Sequence, residues 1–306
     1  MNKSASPVGV IGLGIMGSAM SANLVKAGFE IIGYDTVAAR QTALSRAGGR
    51  PARSAVDVGK RAPVVITSLP SADALAAVSA QLAQAGRKGQ IVVETSTLPL
   101  EVKEAARKLL APRGIVLLDC PLSGTGAQAR TKDLVVFASG DAGAYRKCIP
   151  VFQGIARKHF LVGAFGDGSK MKFIANLLVA IHNVAAAEAM VLGMKAGLDP
   201  AQVLAVVTSG AGTSRMLEVR GPMMVKGDYS EATMKVEVWQ KDMKIIGEYA
   251  RSIDCPTPLF LASAPFYTAA MAMGRGSEDT GAVCAVLEEM ACTKRAARQR
   301  RRRPKA

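Results

Sequence analysis

Six consecutive residues, Gly12, Leu13, Gly14, Ile15, Met16 and Gly17, spell G-x-G-x-x-G. They follow the apolar run 8–12 (VGVIG) and open a stretch of helical character, 18–26. Each glycine has a task there: Gly12 permits a tight turn, Gly14 lets the backbone approach a pyrophosphate, and Gly17 lets helix and strand pack closely. The helix N-terminus then faces the anion. Asp35 closes a second apolar run, 30–35 (EIIGYD), 18 residues after Gly17. A carboxylate at that place accepts hydrogen bonds from a ribose carrying two hydroxyls. A 2′-phosphate beside it would put like charges a few Å apart, costing on the order of a few kcal/mol, although Arg40 lies near enough in sequence to soften this. The reading is a dinucleotide site, with NAD favoured over NADP. The plain alternatives are a ligand-free glycine turn and a helix-capping Asp35.

A second group with chemistry is Ser123, Gly124 and Thr125, in a loop after a strand. Hydroxyl and backbone N–H donors clustered this way suit a carboxylate, whereas a tight turn would use the same residues without a ligand. A third is a set of polar residues, Lys172, Asn176 and Asn183, in the largely apolar stretch 169–196, which His182 and Glu188 also interrupt. Residues 172 and 176 share a helix face. A lysine near a helix start is most often solvated, and an asparagine in an apolar helix often only satisfies a neighbouring loop.

The elements that must position these groups alternate along the first half of the chain. Strand candidates occur at 8–12, 30–35, 64–69, 91–95, 115–119, 134–139 and 159–162, with alanine-rich helical stretches such as 72–85 and 100–110 between the early ones. This alternation predicts a parallel sheet covered on both faces. Beyond 165 every segment is helical: 169–196, 200–209, 216–226, 233–252, 258–273 and 278–291. The expected architecture is an α/β Rossmann, doubly wound NAD-binding domain over 1–165, then an all-α domain for substrate and oligomerisation over 166–292. Residues 293–306 form a basic tail, expected to be disordered. The stretch 169–196 is long and apolar enough to consider as a membrane span. Its polar residues, and the lack of the usual flanking Lys and Arg, favour a buried helix at a domain junction.

Composition narrows the function classes. Net charge is +15, but residues 294–306 alone hold eight Lys or Arg and no acid, so the body is only mildly basic. Such a run is ordinarily a solvated end, and without interleaved aromatics it has no means of reading bases. Two histidines, His159 and His182, do not make a metal cluster. Five scattered cysteines without metal spacing suggest inert core thiols in a reducing cytoplasm. No leading segment reads as a signal peptide.

With these residues in view, the chain resembles the β-hydroxyacid dehydrogenases, the family that includes 3-hydroxyisobutyrate dehydrogenase and tartronate semialdehyde reductase. The resemblance runs over residues 7–290 and rests on four segments: VGVIGLGIMGSAMSANLVKAG (8–28), DCPLSGTGAQA (119–129), GDGSKMKFIANLLVAIHN (166–183) and Lys241-Asp242-Met243. It implies an active site between a Rossmann and a helical domain, with Lys172, spaced from Gly166 and Gly168, as the catalytic lysine and Asn176 beside it. It implies that 119–129 is the substrate loop, and that Ser96 and Thr97 line nicotinamide and substrate. Leu69 and Pro70 match a loop near the adenosine half, and Lys241 a cofactor-side lysine. A homodimer or homotetramer is implied as well. Thr125, Ala175 and Met234 depart from the residues usual in the family at those places.

The implied reaction is hydride transfer between NAD and the hydroxyl-bearing carbon of a small 3-hydroxy acid, 3-hydroxyisobutyrate-like. A lysine serves as base for oxidation and acid for reduction if its pKa, about 10.4 when free, is depressed. Burial beside a positive nicotinamide acts in that direction. Two other readings stand beside this one. Imine and sugar-phosphate dehydrogenases share the resemblance, but the former usually lack the lysine and the latter have a longer helical domain. A non-catalytic NAD(P)-binding protein that meets nucleic acid through its basic tail is the alternative outside enzymes. Arg215, after SGAGTS, is a candidate receiver for a second polar group on the substrate, or else a solvated arginine.

Overall fold

The computed structural model describes residues 6–293. The basic tail expected over 293–306 lies outside them, apart from Thr293. Contacts divide the chain into two units between Ala175 and Asn176.

The first unit begins with β1 (Val8–Ile11), α1 (Ile15–Lys26), β2 (Ile31–Tyr34), α2 (Ala38–Arg46), β3 (Arg50–Pro51) and α3 (Ala55–Arg61). It continues with β4 (Val64–Thr67), α4 (Ala72–Ala85), β5 (Ile91–Glu94), α5 (Leu100–Leu110) and β6 (Val116–Asp119). These strands form one parallel sheet, ordered β3-β2-β1-β4-β5-β6. Strand periodicity builds both faces. Val8, Val10, Ile31, Ile66, Ile91, Val93 and Leu118 enter one core with Met20 and Leu24 of α1. Ile11, Ile32, Val65, Val92 and Leu117 enter the other, with Val58 of α3, Leu75 and Leu82 of α4 and Leu110 of α5. Each strand is thus apolar at successive positions because both faces are covered, the pattern of a doubly wound sheet. Strand order reverses between β1 and β4, which places the Gly12–Gly17 loop at the switch point where such sheets bind ligands.

The remaining strands depart from the expected single sheet. β7 (Leu122–Ser123), β8 (Val135–Ala138) and β9 (Lys158–Leu161) make a separate three-stranded sheet, β7 antiparallel and β9 parallel to β8. Two short or amphipathic helices accompany it, α6 (Gly126–Arg130) and α7 (Ala142–Ile155), the latter capped by Asp141, which accepts from the N–H of Ala144 at 2.6 Å. Cys148, Val151 and Phe152 of α7 bury in the same core as β1.

Helix α8 (Asp167–Lys195) starts in the first unit and continues into the second. It has the length and mean hydropathy, 1.7, to cross a membrane. Its buried positions include Ser169, Lys172, Asn176, Ala180, Asn183, Ala187 and Met190, which recur every three or four residues and are flanked by buried Phe173, Val184, Ala186 and Val191. The polar members of that stripe have protein partners, as a core helix requires: Ser169 bonds Asp119, Asn176 bonds Asp242, and Asn183 bonds Tyr267 and the Thr280 carbonyl.

The second unit adds α9 (Pro200–Thr208), α10 (Arg215–Lys226), α11 (Val236–Ser252), α12 (Pro258–Ala272) and α13 (Val283–Met290), with no strand among the described residues. Helix α11 buries Val236, Trp239, Asp242, Met243, Ile246 and Ala250, one face at helical spacing. Two polar links fix the unit internally. Tyr267 donates to the Ala180 carbonyl at 3.0 Å, and burial pushes its phenol up to about 12. Arg220 Nε donates to Asp279 Oδ1 at 2.8 Å with both side chains buried.

Candidate active site

The glycine loop follows β1 because its backbone is closed to side chains. Gly12 has φ +91°, and a Cβ there would strike the Ser68 carbonyl; a Cβ on Gly17 would strike the Gly12 carbonyl. Gly14 is different, since a Cβ on it would meet nothing within 4 Å. It faces open space in front of α1, whose N-cap it is, with no capping side chain. Uncapped N–H groups at a helix start and room for a close approach are what an anionic pyrophosphate needs.

Asp35 stands just after β2 and is 6% exposed. Its Oδ2 accepts the backbone N–H of Leu13 at 2.7 Å and its Oδ1 that of Val37 at 2.8 Å. Arg40 Nη1 lies 3.3 Å from both carboxylate oxygens and is half-exposed. The carboxylate therefore anchors the glycine loop, which spacing alone did not reveal. These features fit a dinucleotide: Gly14 leaves the approach, α1 offers donors, and Asp35 holds an acceptor at the end of β2.

The other segments of the first unit converge on this loop. The N–H of Leu69 donates to Ser96 Oγ at 2.8 Å, joining the Leu69-Pro70 loop to the Ser96-Thr97 loop. Gly126, after the Ser123–Thr125 segment, packs so closely on Ile15 that a Cβ there would collide with it. Ser123 of β7 pairs with Val135 of β8, and Gly124 adopts φ +135°. Thr125 is the N-cap of α6, in a capping box with Gln128: its N–H donates to Gln128 Oε1 at 3.0 Å, and its Oγ1 accepts from the N–H of Gln128. Thr125 is thus committed to the turn, the plain alternative for this segment.

Lys172 is buried, at 9% exposure, which separates it from a solvated lysine such as Lys170, ion-paired to Asp167 at 2.9 Å. The start of α8 is held by side chains. Gly168 N–H donates to Ser139 Oγ at 2.9 Å and Ser169 N–H to Asp119 Oδ2 at 2.7 Å, satisfying donors that a helix start leaves open. Gly168 must be glycine, because a Cβ would lie 2.7 Å from the Asp119 carbonyl oxygen. Gly166 turns the chain into the helix at φ +97°.

In the second unit Asn176 Nδ2 donates to Asp242 Oδ2 at 2.9 Å, and Lys241 Nζ sits 3.0 Å from Asp242 Oδ1. Asp242 went unassigned from sequence, although it lies beside Lys241 in the quoted motif. Also missed was Lys103, fully buried between Glu94 and Asp119 at 2.7 Å from each. Its signal was available: positions 103, 106 and 110 form one face of α5. Arg215 is exposed and ion-paired to Glu218 at 2.9 Å. No cluster of metal-binding side chains occurs among the described residues.

A switch-point glycine loop, an acid closing the second strand and a buried lysine on the helix that leads into an all-helical unit fit an NAD(P)-linked oxidoreductase. Comparisons with known proteins agree. Residues 7–163 match the family described as the NAD-binding domain of 6-phosphogluconate dehydrogenase. Residues 166–287 match that described as NAD-binding of NADP-dependent 3-hydroxyisobutyrate dehydrogenase. An L-threonate dehydrogenase of Cupriavidus necator is 37% identical over 92% of this chain and 95% of its own length. A crystal structure of 3-hydroxyisobutyrate dehydrogenase from Salmonella typhimurium superposes with a TM-score of 0.82 at 29% identity, over 91% of this chain and 99% of that one. That of the Mycobacterium tuberculosis 3-hydroxyisobutyrate dehydrogenase with L-serine gives 0.84 at 27%, over 92% and 99%. The chain belongs to the β-hydroxyacid dehydrogenase family, and is a hydroxyacid dehydrogenase.

Proposed function

We propose that this protein oxidises a small 3-hydroxy acid with NAD, using Lys172 as the acid/base residue. The observation that carries the reading is Lys172 itself, buried on α8 one turn after Ser169, whose N–H and hydroxyl are both fastened to Asp119. Oxidation takes a proton from the substrate hydroxyl and a hydride from its carbon. NAD, when bound, supplies the hydride acceptor. Lys172 receives the hydroxyl proton on Nζ, and returns it in the reverse direction. Asn176, one turn further along the helix, is held by Asp242 and orients its side-chain amide for the substrate. Ser123 and the backbone at Gly124 receive the carboxylate, and Ser96 and Thr97 border the reacting carbon. Fixing the substrate at both ends supplies several kcal/mol of barrier reduction by orientation alone. Leu69, Pro70 and Lys241 complete the cofactor side, with residues 1–165 as the NAD domain and 166–292 as the substrate and oligomerisation domain.

NAD is preferred because Asp35 presents a carboxylate where NADP carries a phosphate. Arg40 beside it moderates the preference, in keeping with a second-domain family described for an NADP-dependent enzyme. Among 3-hydroxy acids, a polyhydroxy acid such as L-threonate ranks with 3-hydroxyisobutyrate, since a relative of 37% identity is an L-threonate dehydrogenase. L-serine, present with the mycobacterial enzyme, is also a 3-hydroxy acid by formula. The exposed Leu192 and Met290, flanking an apolar groove between α8 and α13, support a homo-oligomer. Five free thiols suit the cytoplasm, though only Cys120, Cys148 and Cys284 lie in the core as expected; Cys255 and Cys292 are exposed. The test is a panel of L-threonate, 3-hydroxyisobutyrate, L-serine and 2-hydroxy acids, read by NADH absorbance with the product identified. Turnover confined to 3-hydroxy acids, with oxidation at carbon 3, is expected. Turnover of 2-hydroxy acids lacking a 3-hydroxyl, or oxidation of L-threonate at carbon 2, contradicts the substrate class.

A further inference from the structure

Lys103 is wholly buried in a helix whose exposed face carries other charges, and the mechanism above gives it nothing to do. Its ammonium lies 2.7 Å from Glu94 Oε2 and 2.7 Å from Asp119 Oδ1. The outer bonds of the two carboxylates lead to two different parts of the site. Glu94 Oε1 accepts the N–H of Ser96 at 3.0 Å, and Ser96 Oγ in turn accepts the N–H of Leu69 at 2.8 Å. Asp119 accepts the N–H of Ser169 at 2.7 Å and its hydroxyl at 2.9 Å. An unbroken chain of polar contacts therefore runs from the Leu69-Pro70 loop, through Ser96, Glu94, Lys103 and Asp119, to the first turn of α8. Lys172 follows Ser169 by three residues, on the same side of the helix.

We propose that Lys103, with Glu94 and Asp119, is a positioning device: it fixes the first turn of α8 against the Ser96 loop and so sets where Lys172 stands relative to residues 96 and 97. The proposal rests on the reading of Lys172 given above. Burial alone would lower the Lys103 ammonium, but Glu94 and Asp119 outweigh it and hold the group above its ordinary value, so the centre of the clamp stays charged. An apolar side chain of similar volume would serve stability as well or better, since buried ion pairs seldom outdo apolar packing. What the triad adds is direction. Each carboxylate is fixed by the ammonium on one side and offers defined acceptors to a site segment on the other.

The test compares full-length Ser169→Ala, Asp119→Asn and Glu94→Gln with wild type and Lys172→Ala. The last two clamp variants leave Lys103 with one carboxylate, so neither strands a buried charge. Thermal unfolding, NADH affinity by fluorescence, kcat on the best substrate, and the kinetic isotope effect with deuterium on the reacting carbon are measured. In folded clamp variants kcat should fall about ten- to a hundredfold with NADH affinity within about threefold, because misplacement acts on the chemical step. The isotope effect on kcat should rise, and Ser169→Thr, which retains the hydroxyl, should recover much of the loss. Wild-type kcat and isotope effect in the folded clamp variants, beside an inactive Lys172→Ala, overturn the positioning role and leave Lys172 in place. Wild-type turnover by Lys172→Ala overturns both readings, since the clamp then has no lysine to position.

Discussion

Asp35 Oδ2 accepts the backbone N–H of Leu13 at 2.7 Å, so the carboxylate proposed to read the ribose also holds the glycine loop in place. A substitution there therefore acts twice, and two variants separate the effects. Asp35→Asn retains an acceptor for Leu13 but loses the charge. It should narrow the NAD-over-NADP ratio of kcat/KM by about tenfold or more while keeping most NAD affinity. Asp35→Ala removes the acceptor as well, and should weaken both nucleotides. Steady-state kinetics with each cofactor checks this, and a wild-type enzyme that already prefers NADP contradicts the assignment.

The Asn176–Asp242 bond, 2.9 Å and buried, yields a second expectation. Asp242→Ala leaves the Asn176 amide without its acceptor inside the protein, costing about 1–3 kcal/mol of stability. Because the freed amide no longer points one way, kcat should fall in protein that is still folded. Denaturant unfolding and kcat measured together check it. A stability loss with wild-type kcat would confine Asp242 to a structural role.

Asp279 yields a pH dependence. Burial alone would raise its carboxyl, but Arg220 and hydrogen bonds from Gly281 and Thr233 prevail and hold it below the usual carboxylate range. A carboxyl whose folded pKa is depressed stabilises the protein above its unfolded value, about 3.9, and loses that contribution as pH falls through the folded value. Wild-type stability should thus drop on acidification from about pH 5 toward pH 2, and Asp279→Asn should show a shallower slope at a lower starting stability. Equal slopes in urea titrations across that range would remove Asp279 from the acid response.

The fold was legible where periodicity was strong. Strands such as Val64–Thr67 and Ile91–Glu94, buried on both faces, read as continuous apolar runs, and the long helices of the second unit read by their apolar content. The separate sheet did not, because Leu134–Ser139 and His159–Val162 look like any other strand, and pairing partners are set by distant residues. Two-residue β3 and β7 carry too little pattern to detect. At the site, glycines and family motifs named the loop and Lys172. The residues that hold others, Asp242, Lys103 and Glu94, resemble surface charges in one dimension. Only their burial and partners distinguish them, and for Lys103 the helical face it shares with Ala106 and Leu110 was the one available sign.

The central claim is that a buried lysine moves the proton. The most direct measurement is NADH formation by Lys172→Ala on the best 3-hydroxy acid, beside NADH binding by fluorescence. The account predicts a fall in kcat of about a thousandfold with NADH affinity within a few-fold of wild type, the size expected for loss of a general acid/base. Turnover by Lys172→Ala at close to the wild-type rate would contradict it.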